Sequence, residues 1–214
     1  MFFAFVPYHL DLKPAATWSA ALVWHYQNSA TAFDRVEEDL ATFKLVASRD
    51  GQYEVSVSRK LLRTRLPGVV VDAPKNAKPD EATTNVYPDR LLGLPAWGSD
   101  RDAARLGRLF DFEAIRTVEA YTLALNQPKL PKAIMVIEED APSETLRSWH
   151  WTLRELSGSA PIAAEGELWT RKSDGIPVRM HLEADNVPLP EGQGTGQLTL
   201  DLGPAPGRQS SSSK

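Results

Sequence analysis

The sequence predicts a mainly β protein: a curved antiparallel sheet or half-barrel of about eight or nine strands, with one short helix and a long loop excursion. Apolar and polar residues alternate along several short stretches, which is the pattern of strands that bury one face. The 16 prolines and 13 glycines among 214 residues favour short elements joined by turns. A helical period is convincing only at residues 100–110.

The first three predicted strands form an antiparallel meander. Residues 18–26 alternate between two sets of side chains, one of them mostly large and apolar, and residues 42–47 supply a second strand. Residues 53–59 alternate strictly and follow the dipeptide Asp50-Gly51, which marks a tight hairpin turn. The short polar connections predict that these strands are neighbours in the sheet.

Residues 67–99 are predicted to be the loop excursion. This stretch contains five prolines and three glycines and has neither a strand nor a helix period. We expect a partly ordered loop that covers the sheet like a lid and packs onto it through Tyr87, Leu91, Leu92 and Trp97. A disordered insertion is the alternative.

Residues 100–110 are predicted to form the one helix. Ser99 or Asp100 can cap its first turn. The apolar residues at helical spacing are Ala103, Leu106, Leu109 and Phe110. Because the helix is short, it needs the sheet to hold it.

The second half of the chain is predicted to return to strands. They cover residues 115–126, 133–138, 146–156, 162–171, 178–184 and 198–202. The best-defined local unit is the hairpin at residues 167–179, whose turn contains Asp174-Gly175. Residues 1–202 are therefore expected to form a single domain. Residues 203–214 contain no large apolar side chain and are expected to be a disordered tail.

Composition and charge exclude several functional classes. The formal net charge of −4 provides no basic surface for nucleic acid or for an anionic membrane. With no cysteine, the chain has no disulfide, thiolate metal site, catalytic thiol or lipid-anchored cysteine. No apolar run reaches the length of a membrane span.

The first seven residues are apolar, but they lack the basic start and the small-residue cleavage site of a secretion signal. We interpret them as an edge strand or an exposed apolar end, and a truncated or mis-started secretory precursor is the alternative. We expect a periplasmic or extracellular location if a signal peptide is missing from the sequence, and a cytoplasmic location otherwise.

A search for catalytic motifs finds none. The four histidines are not at metal-ligand spacing, and no nucleophile elbow or phosphate-binding glycine loop is present. Glu165 and Glu167 share one face of a predicted strand, and paired carboxylates can hydrolyse glycosides. The alternative is that they form cross-strand ion pairs with Arg154 or Arg179. We therefore expect a protein that is not an enzyme and that has no cofactor and no metal site.

The tryptophans are the main candidates for a ligand site. Trp149 and Trp151 lie on one face of their predicted strand, and Trp169 lies on the face that carries Glu165 and Glu167. Either such aromatic residues form the core, or some of them line an apolar cavity between sheet and lid. The candidate cavity residues are Leu92, Trp97, Trp149, Trp151 and Trp169. We also expect the five strand tryptophans to be mostly buried: Trp18, Trp24, Trp149, Trp151 and Trp169.

The order of elements is a meander, a proline-rich excursion, and then long strands with the hairpin that runs from Trp169 to Arg179. In this order the chain resembles bacterial envelope proteins of the lipoprotein-carrier (LolA/LolB-like) fold and their uncharacterised relatives. The resemblance implies a curved antiparallel sheet that helices close over an apolar cavity. We expect the chain to depart from that family, because the sequence shows one convincing helix, no recognisable signal peptide and no cysteine for a lipid anchor.

Two functional hypotheses follow. The first is a non-enzymatic cell-envelope protein whose apolar cavity binds a lipid or a lipoprotein acyl chain. The second is a β-rich interaction or structural module that contacts another envelope protein and has no small-molecule ligand. A hydrolase that uses Glu138 or the Glu165–Glu167 pair has the least support.

Overall fold

The computed structural model describes residues 8–97, 100–110, 112, 120–125, 130–140 and 143–205, with the backbone alone described at residues 120–125. Within these residues, eleven strands form one antiparallel sheet and one α-helix accompanies it. The strands are β1 (Thr17–Asn28), β2 (Phe33–Arg49), β3 (Gln52–Leu66), β4 (Val69–Asp72), β5 (Asp80–Val86), β6 (Ala120–Leu125), β7 (Ala133–Glu139), β8 (Leu146–Glu155), β9 (Ala163–Arg171), β10 (Pro177–Pro188) and β11 (Thr195–Pro204). The helix α1 (Arg101–Gly107) continues into a 3₁₀ turn, Arg108–Phe110, and a second 3₁₀ turn covers Pro190–Gly192.

The sheet joins two meanders. Its order is β4-β3-β2-β1-β11-β10-β9-β8-β7-β6, and β5 pairs with β3 on the same side as β4. The pairing of β1 with β11 connects the two halves, so the first and last strands lie at the centre. The order is open, with β4 and β6 at its two ends. The predicted mainly β fold, with an antiparallel sheet and one short helix, is confirmed.

The turn between β2 and β3 shows why the first meander could be predicted. Asp50 and Gly51 both have positive φ angles, 51° and 76°. Two such residues form the type I′ turn, whose twist matches that of the strands it joins. Asp100 likewise caps α1 as predicted, because its side chain accepts a hydrogen bond from the backbone N–H of Ala103 at 2.8 Å.

The prediction that residues 67–99 lack regular structure is wrong. Two short strands, β4 and β5, lie within this stretch and raise the number of strands to eleven. The strand β4 has no alternation because its three valines are exposed on both faces, and β5 turns only small residues and one valine inward. Leu91 and Leu92 are buried as expected, but Tyr87 is 39% exposed and is not an anchor.

One face of the sheet, here called the inner face, carries the core. It bears Trp24 of β1, Trp149 and Trp151 of β8, the alternate apolar residues of β10 around Leu182, and the alternate leucines of β11. Three segments cover it: residues 8–12, residues 88–97, and α1 with its 3₁₀ turn. Their buried apolar residues include Leu10, Leu12, Leu91, Leu92, Leu94, Leu109 and Phe110. The opposite face, here called the outer face, bears most of the polar side chains of the strands.

The segment at residues 8–12 is held by backbone contacts as well as by apolar packing. The amide of Leu10 donates to the carbonyl of Pro88 at 2.7 Å, and the Tyr8 hydroxyl donates to the carbonyl of Gly175 at 2.8 Å. Gly175 has a φ of +73°, and a Cβ there would lie 2.6 Å from the carbonyl oxygen of His9. The hairpin between β9 and β10 therefore needs glycine at this position, both for its turn and for the segment that crosses it.

The five strand tryptophans differ in how completely they are buried. Trp24, Trp149 and Trp151 are buried. Trp18 and Trp169 are less completely covered, although neither is exposed. Trp18 stacks on Phe43 with ring centroids 5.0 Å apart.

Two boundaries differ from the predicted ones. The strand β11 continues to Pro204, two residues beyond the predicted end of the domain, and the rest of the predicted tail lies largely outside the described residues. The strand predicted at residues 115–126 is described as β6, and residues 115–119 and 126 lie outside the described part, as do the first seven residues. No described helix has the length and apolar character that crossing a bilayer requires.

Candidate functional site

The structure does not bring together all five residues that the sequence predicts for an apolar cavity. Leu92, Trp149 and Trp151 belong to the packed core of the inner face. Trp97 lies at the margin of that core, and Trp169 lies on the outer face, where the guanidinium of Arg179 covers its ring at 4.5 Å. Trp97 lines one of the three cavities described below, and none of these three is lined by the other four residues.

That cavity is small and lies between the inner face and α1. Its volume is about 50 Å³, and its walls include Trp24, Tyr26, Trp97 and Phe110. The guanidinium of Arg59 lies 5.9 Å from the ring of Trp24 and 5.1 Å from that of Trp97. This volume accommodates one or two water molecules, so the cavity as it stands does not hold an acyl chain.

Asp39 is a buried carboxyl beside this cluster. It lies directly opposite Leu22 on one side and Leu61 on the other, and its nearest cation is Arg59 at 3.8 Å. The pKa of Asp39 is raised to about 6, chiefly because burial disfavours the charged form; Arg59 opposes this shift, and the charge of Glu37 adds to it. The indole N–H of Trp24 also opposes it, although it makes no hydrogen bond of normal geometry with the carboxylate.

The raised pKa of Asp39 predicts a pH-dependent stability. The pKa of Asp39 is about 6 in the folded protein and 3.8 in the unfolded chain, so protonated Asp39 contributes fully to the free energy of unfolding below about pH 4. This contribution, about 3 kcal/mol, is lost as the pH rises through about 6. Asp39→Asn removes this titration, so the variant is expected to gain stability relative to the wild type between pH 4 and pH 7.

Urea unfolding of both proteins across that range measures the effect, because the difference between them cancels the other titrating groups. A difference that stays constant with pH, or that shifts in favour of the wild type as the pH rises, would contradict the prediction.

A second cavity, of about 360 Å³, lies on the other side of the contact between residues 93–97 and α1. Its walls include Thr83 and Thr84 of β5, Leu94 and Arg108. The loop and the helix touch closely here, because a Cβ on Gly107 would lie 2.5 Å from the Cβ of Ala96. Both cavities therefore depend on where α1 is held.

A buried ion-pair network holds α1 against the sheet. Glu155 at the end of β8 pairs with Arg105 at 2.7 Å and with Arg108 at 3.5 Å. The same carboxylate accepts a hydrogen bond from the amide of Ile162 at 2.9 Å, and Arg108 donates to the carbonyl of Pro131 at 2.7 Å. One glutamate thus connects the helix, its 3₁₀ turn and the β8–β9 connection.

A third and larger cavity is a trough on the outer face. Its volume is about 830 Å³, and it runs across six neighbouring strands, from β7 through β8, β9, β10 and β11 to β1. Ile134, Val136 and Leu156 form its apolar end near β7 and β8. The other described lining side chains are mainly small, amide or acidic.

The acidic side chains of the trough lie in the middle strands. Glu165 of β9 and Glu183 of β10 are directly opposite each other in the sheet. Carboxylates in such positions have Cβ atoms about 5 Å apart and repel each other. Asp185 lies two residues further along β10 and accepts a hydrogen bond from Gln197 at 3.0 Å.

The ion pairs expected between the Glu165–Glu167 pair and Arg154 or Arg179 are absent among the described residues. Within the described residues, Glu165 forms no ion pair, although Arg154 lies on the neighbouring strand and lines the same trough. Arg179 covers the ring of Trp169 instead of reaching a glutamate. The prediction of cross-strand pairs with Arg154 or Arg179 is therefore wrong, because in antiparallel pairing Glu165 faces Thr152 and Glu183 rather than either arginine.

A row of alternating acids and histidines borders the trough. Across β7 to β11, the residues directly opposite one another are Glu138, His150, Glu167, His181 and Asp201. His181 Nδ1 lies 2.7 Å from Asp201, and its Nε2 lies 3.4 Å from Glu183. The hydrogen bond to Asp201 raises the pKa of His181, and the charges of Asp201 and Glu183 add to this. No described group of three or more His, Asp or Glu residues is arranged to hold a metal ion.

Only some features of the trough can be predicted from the sequence. Strand alternation places Glu165 and Glu167 on one face, as predicted, but it does not reveal that Glu183 is opposite Glu165. That pairing depends on the length of the β9–β10 hairpin and on the register shift between Pro177 and Arg179.

Comparison with known proteins gives no relative for this chain. No protein-family model matches it, and neither the curated proteins nor the solved structures contain a significant match.

Proposed function

We propose that this protein is a non-enzymatic interaction module that binds a segment of a partner protein in the outer-face trough. The observation that carries the proposal is the opposed pair Glu165 and Glu183 inside a trough of about 830 Å³. Two like charges placed directly opposite each other destabilise a sheet, and Glu165 forms no ion pair with any residue that the structure describes. Residues that cost stability in this way are expected where a binding site needs them.

The trough also has the size and composition of a binding groove. Its volume lies in the range of about 300–1,000 Å³ that is usual for ligand sites. Leu156 is 56% exposed at its apolar end, where a partner side chain could cover it. An exposed apolar residue beside polar groups is a common arrangement in protein interfaces.

The acyl-chain carrier hypothesis remains a second proposal with less support. On the inner face, Leu92, Trp149 and Trp151 are buried by other side chains of the chain itself. An acyl chain gains about 0.8 kcal/mol per buried methylene, but it would first have to displace that packing, which costs similar amounts per methylene. Titration with a fluorescent fatty acid tests this hypothesis. Saturable micromolar binding that weakens when Leu92 and Trp97 are both made polar would favour the carrier over the interaction module.

Site-specific photo-cross-linking tests the interaction module. A benzophenone amino acid replaces Arg154, which is exposed in the trough, or Lys44, which is exposed on the outer face of β2. The two positions are matched, because each substitution removes one positive charge from an exposed strand position. In cells that produce the protein, we expect a discrete cross-linked protein from position 154 and none from position 44. No product at position 154, or the same products at both positions, would contradict the proposal.

A further inference from the structure

We infer that the segment bound in the trough is an extended stretch of a partner protein that carries a lysine or arginine four residues from a large apolar side chain. This inference rests on the proposed function and adds the chemistry of the partner. It follows from three features of the trough: the sign of its charge, the position of its apolar end and its length.

The charge of the trough is complementary to a cation. Its charged lining residues are Glu165, Glu183, Asp185 and Arg154. The neighbours directly opposite the two glutamates, other than each other, are Thr152 and Thr199, which are neutral. Among the described residues, the basic side chain paired with Glu183 is His181 at 3.4 Å, and His181 is closer to Asp201. An ammonium or guanidinium group that bridges Glu165 and Glu183 would relieve their repulsion.

The apolar end is complementary to a large apolar side chain. Ile134 and Val136 of β7 are half-buried on the outer face, and Leu156 projects beside them. In the row of directly opposite residues that joins this end to the glutamates, Val136 is followed by Thr152 of β8 and then by the glutamate pair. The exposed Arg154 of β8 lies in the neighbouring row, between Ile134 and Ala163. A segment that follows the first row can therefore place one apolar and one basic side chain at the two ends with only a threonine between them.

The distance between the apolar end and the glutamate pair determines how far apart the apolar and the basic residue lie in the partner segment. Neighbouring strands are about 4.8 Å apart, so the gap between β9 and β10 lies about 12 Å from β7. Residues i and i+4 of an extended chain are about 13 Å apart and point to the same side. The trough crosses five strand spacings, about 24 Å, which corresponds to about seven extended residues.

A peptide titration tests this inference. The probe is the fluorescently labelled peptide Gly-Leu-Ser-Thr-Ser-Lys-Gly, which has its leucine and lysine four residues apart. Two control peptides replace the lysine by glutamate or the leucine by serine. Fluorescence anisotropy with the full chain is expected to show saturable binding of the probe, and binding at least tenfold weaker for either control. Because the contact is between exposed charges, raising the salt from 50 mM to 500 mM is expected to weaken it severalfold.

Protein variants locate the contact. The double variant Glu165→Gln with Glu183→Gln is expected to weaken binding of the probe at least tenfold. Its matched control is Glu81→Gln with Glu144→Gln, which removes the same charge from exposed positions outside the trough and is expected to bind like the wild type. Because the trough variant removes a repulsion, its melting temperature should equal or exceed that of the wild type, so a loss of binding would not reflect unfolding.

The possible outcomes separate the two proposals. If all three peptides bind equally or none saturates at 1 mM, the inference is wrong. If the peptides fail in this way but cross-linking at position 154 still captures a partner, the proposed interaction module is retained and only the inferred chemistry of the partner segment is wrong. If spermidine binds as tightly as the probe and competes with it, the trough holds a free polyamine and the peptide inference is wrong. A captured partner segment that is acidic would also overturn the inference alone.

Discussion

Replacing Glu155 with alanine is expected to lower the free energy of unfolding by about 3–5 kcal/mol. Glu155 and Arg108 are both buried, and Arg105 reaches the same carboxylate from α1. Removing the carboxylate takes an ion-pair partner away from Arg105, removes one buried partner of Arg108, and removes the acceptor for the Ile162 amide. The helix and the β8–β9 connection would lose a common attachment.

Urea unfolding with Asp72→Ala as the control measures this effect. Asp72 also forms an arginine pair, with Arg63 at 3.0 Å, but both side chains are largely exposed, so its removal should cost less than about 1 kcal/mol. Equal losses in the two variants would show that the Glu155 network contributes no more than a surface ion pair. Glu155→Gln keeps an acceptor oxygen and is expected to fall between the two.

Trp151→Ala is expected to lower the free energy of unfolding by about 3–5 kcal/mol, because it leaves a large cavity in the core. The indole of Trp151 is fully buried and packs edge-on against Phe112 with ring centroids 5.4 Å apart. On β9 it lies against Gly166, where a Cβ would come within 2.8 Å of the ring. The backbone of the neighbouring strand therefore cannot easily move to fill the space.

The matched control is Trp169→Ala, which removes the same side chain from the neighbouring strand. Trp169 is half-buried on the outer face under Arg179, so the expected loss is on the order of 1 kcal/mol. Thermal and chemical unfolding of both variants tests the difference. If both variants lose the same stability, the two faces of the sheet are equally well packed and the assignment of one inner face is wrong.

The sequence predicted the elements whose signals are local. The Asp50-Gly51 turn, the alternation of residues 53–59 and the cap at Asp100 each depend on a few neighbouring residues. The strands β4 and β5 were missed because their pairing with β3 does not require alternation along their own length. Pairing with an existing strand stabilises such short edge strands, and that energy is not visible in the local pattern.

For the candidate site, the sequence could predict which residues share a face of one strand, but not which residues lie opposite them on the neighbouring strand. It placed Glu165 on the face of Trp169, which the structure bears out. It did not predict the opposed Glu183, because residues 18 positions apart are brought together only by the β9–β10 pairing. It also predicted the same burial for all strand tryptophans, because an alternating pattern separates the two faces of a strand but does not show which face other segments pack against.

An antiparallel sheet with short connections follows from local patterns, since periodicity and turn residues act within one or two elements. The pairing of β1 with β11, and the covering of the inner face by residues 8–12 and α1, depend on contacts between distant parts of the chain. The same contacts bury Asp39 and Glu155, and they set Glu165 opposite Glu183 in an open trough. The physical reason is that the energy of a charged side chain depends on its solvent exposure and on its nearest charges, and both are properties of distant parts of the chain brought together.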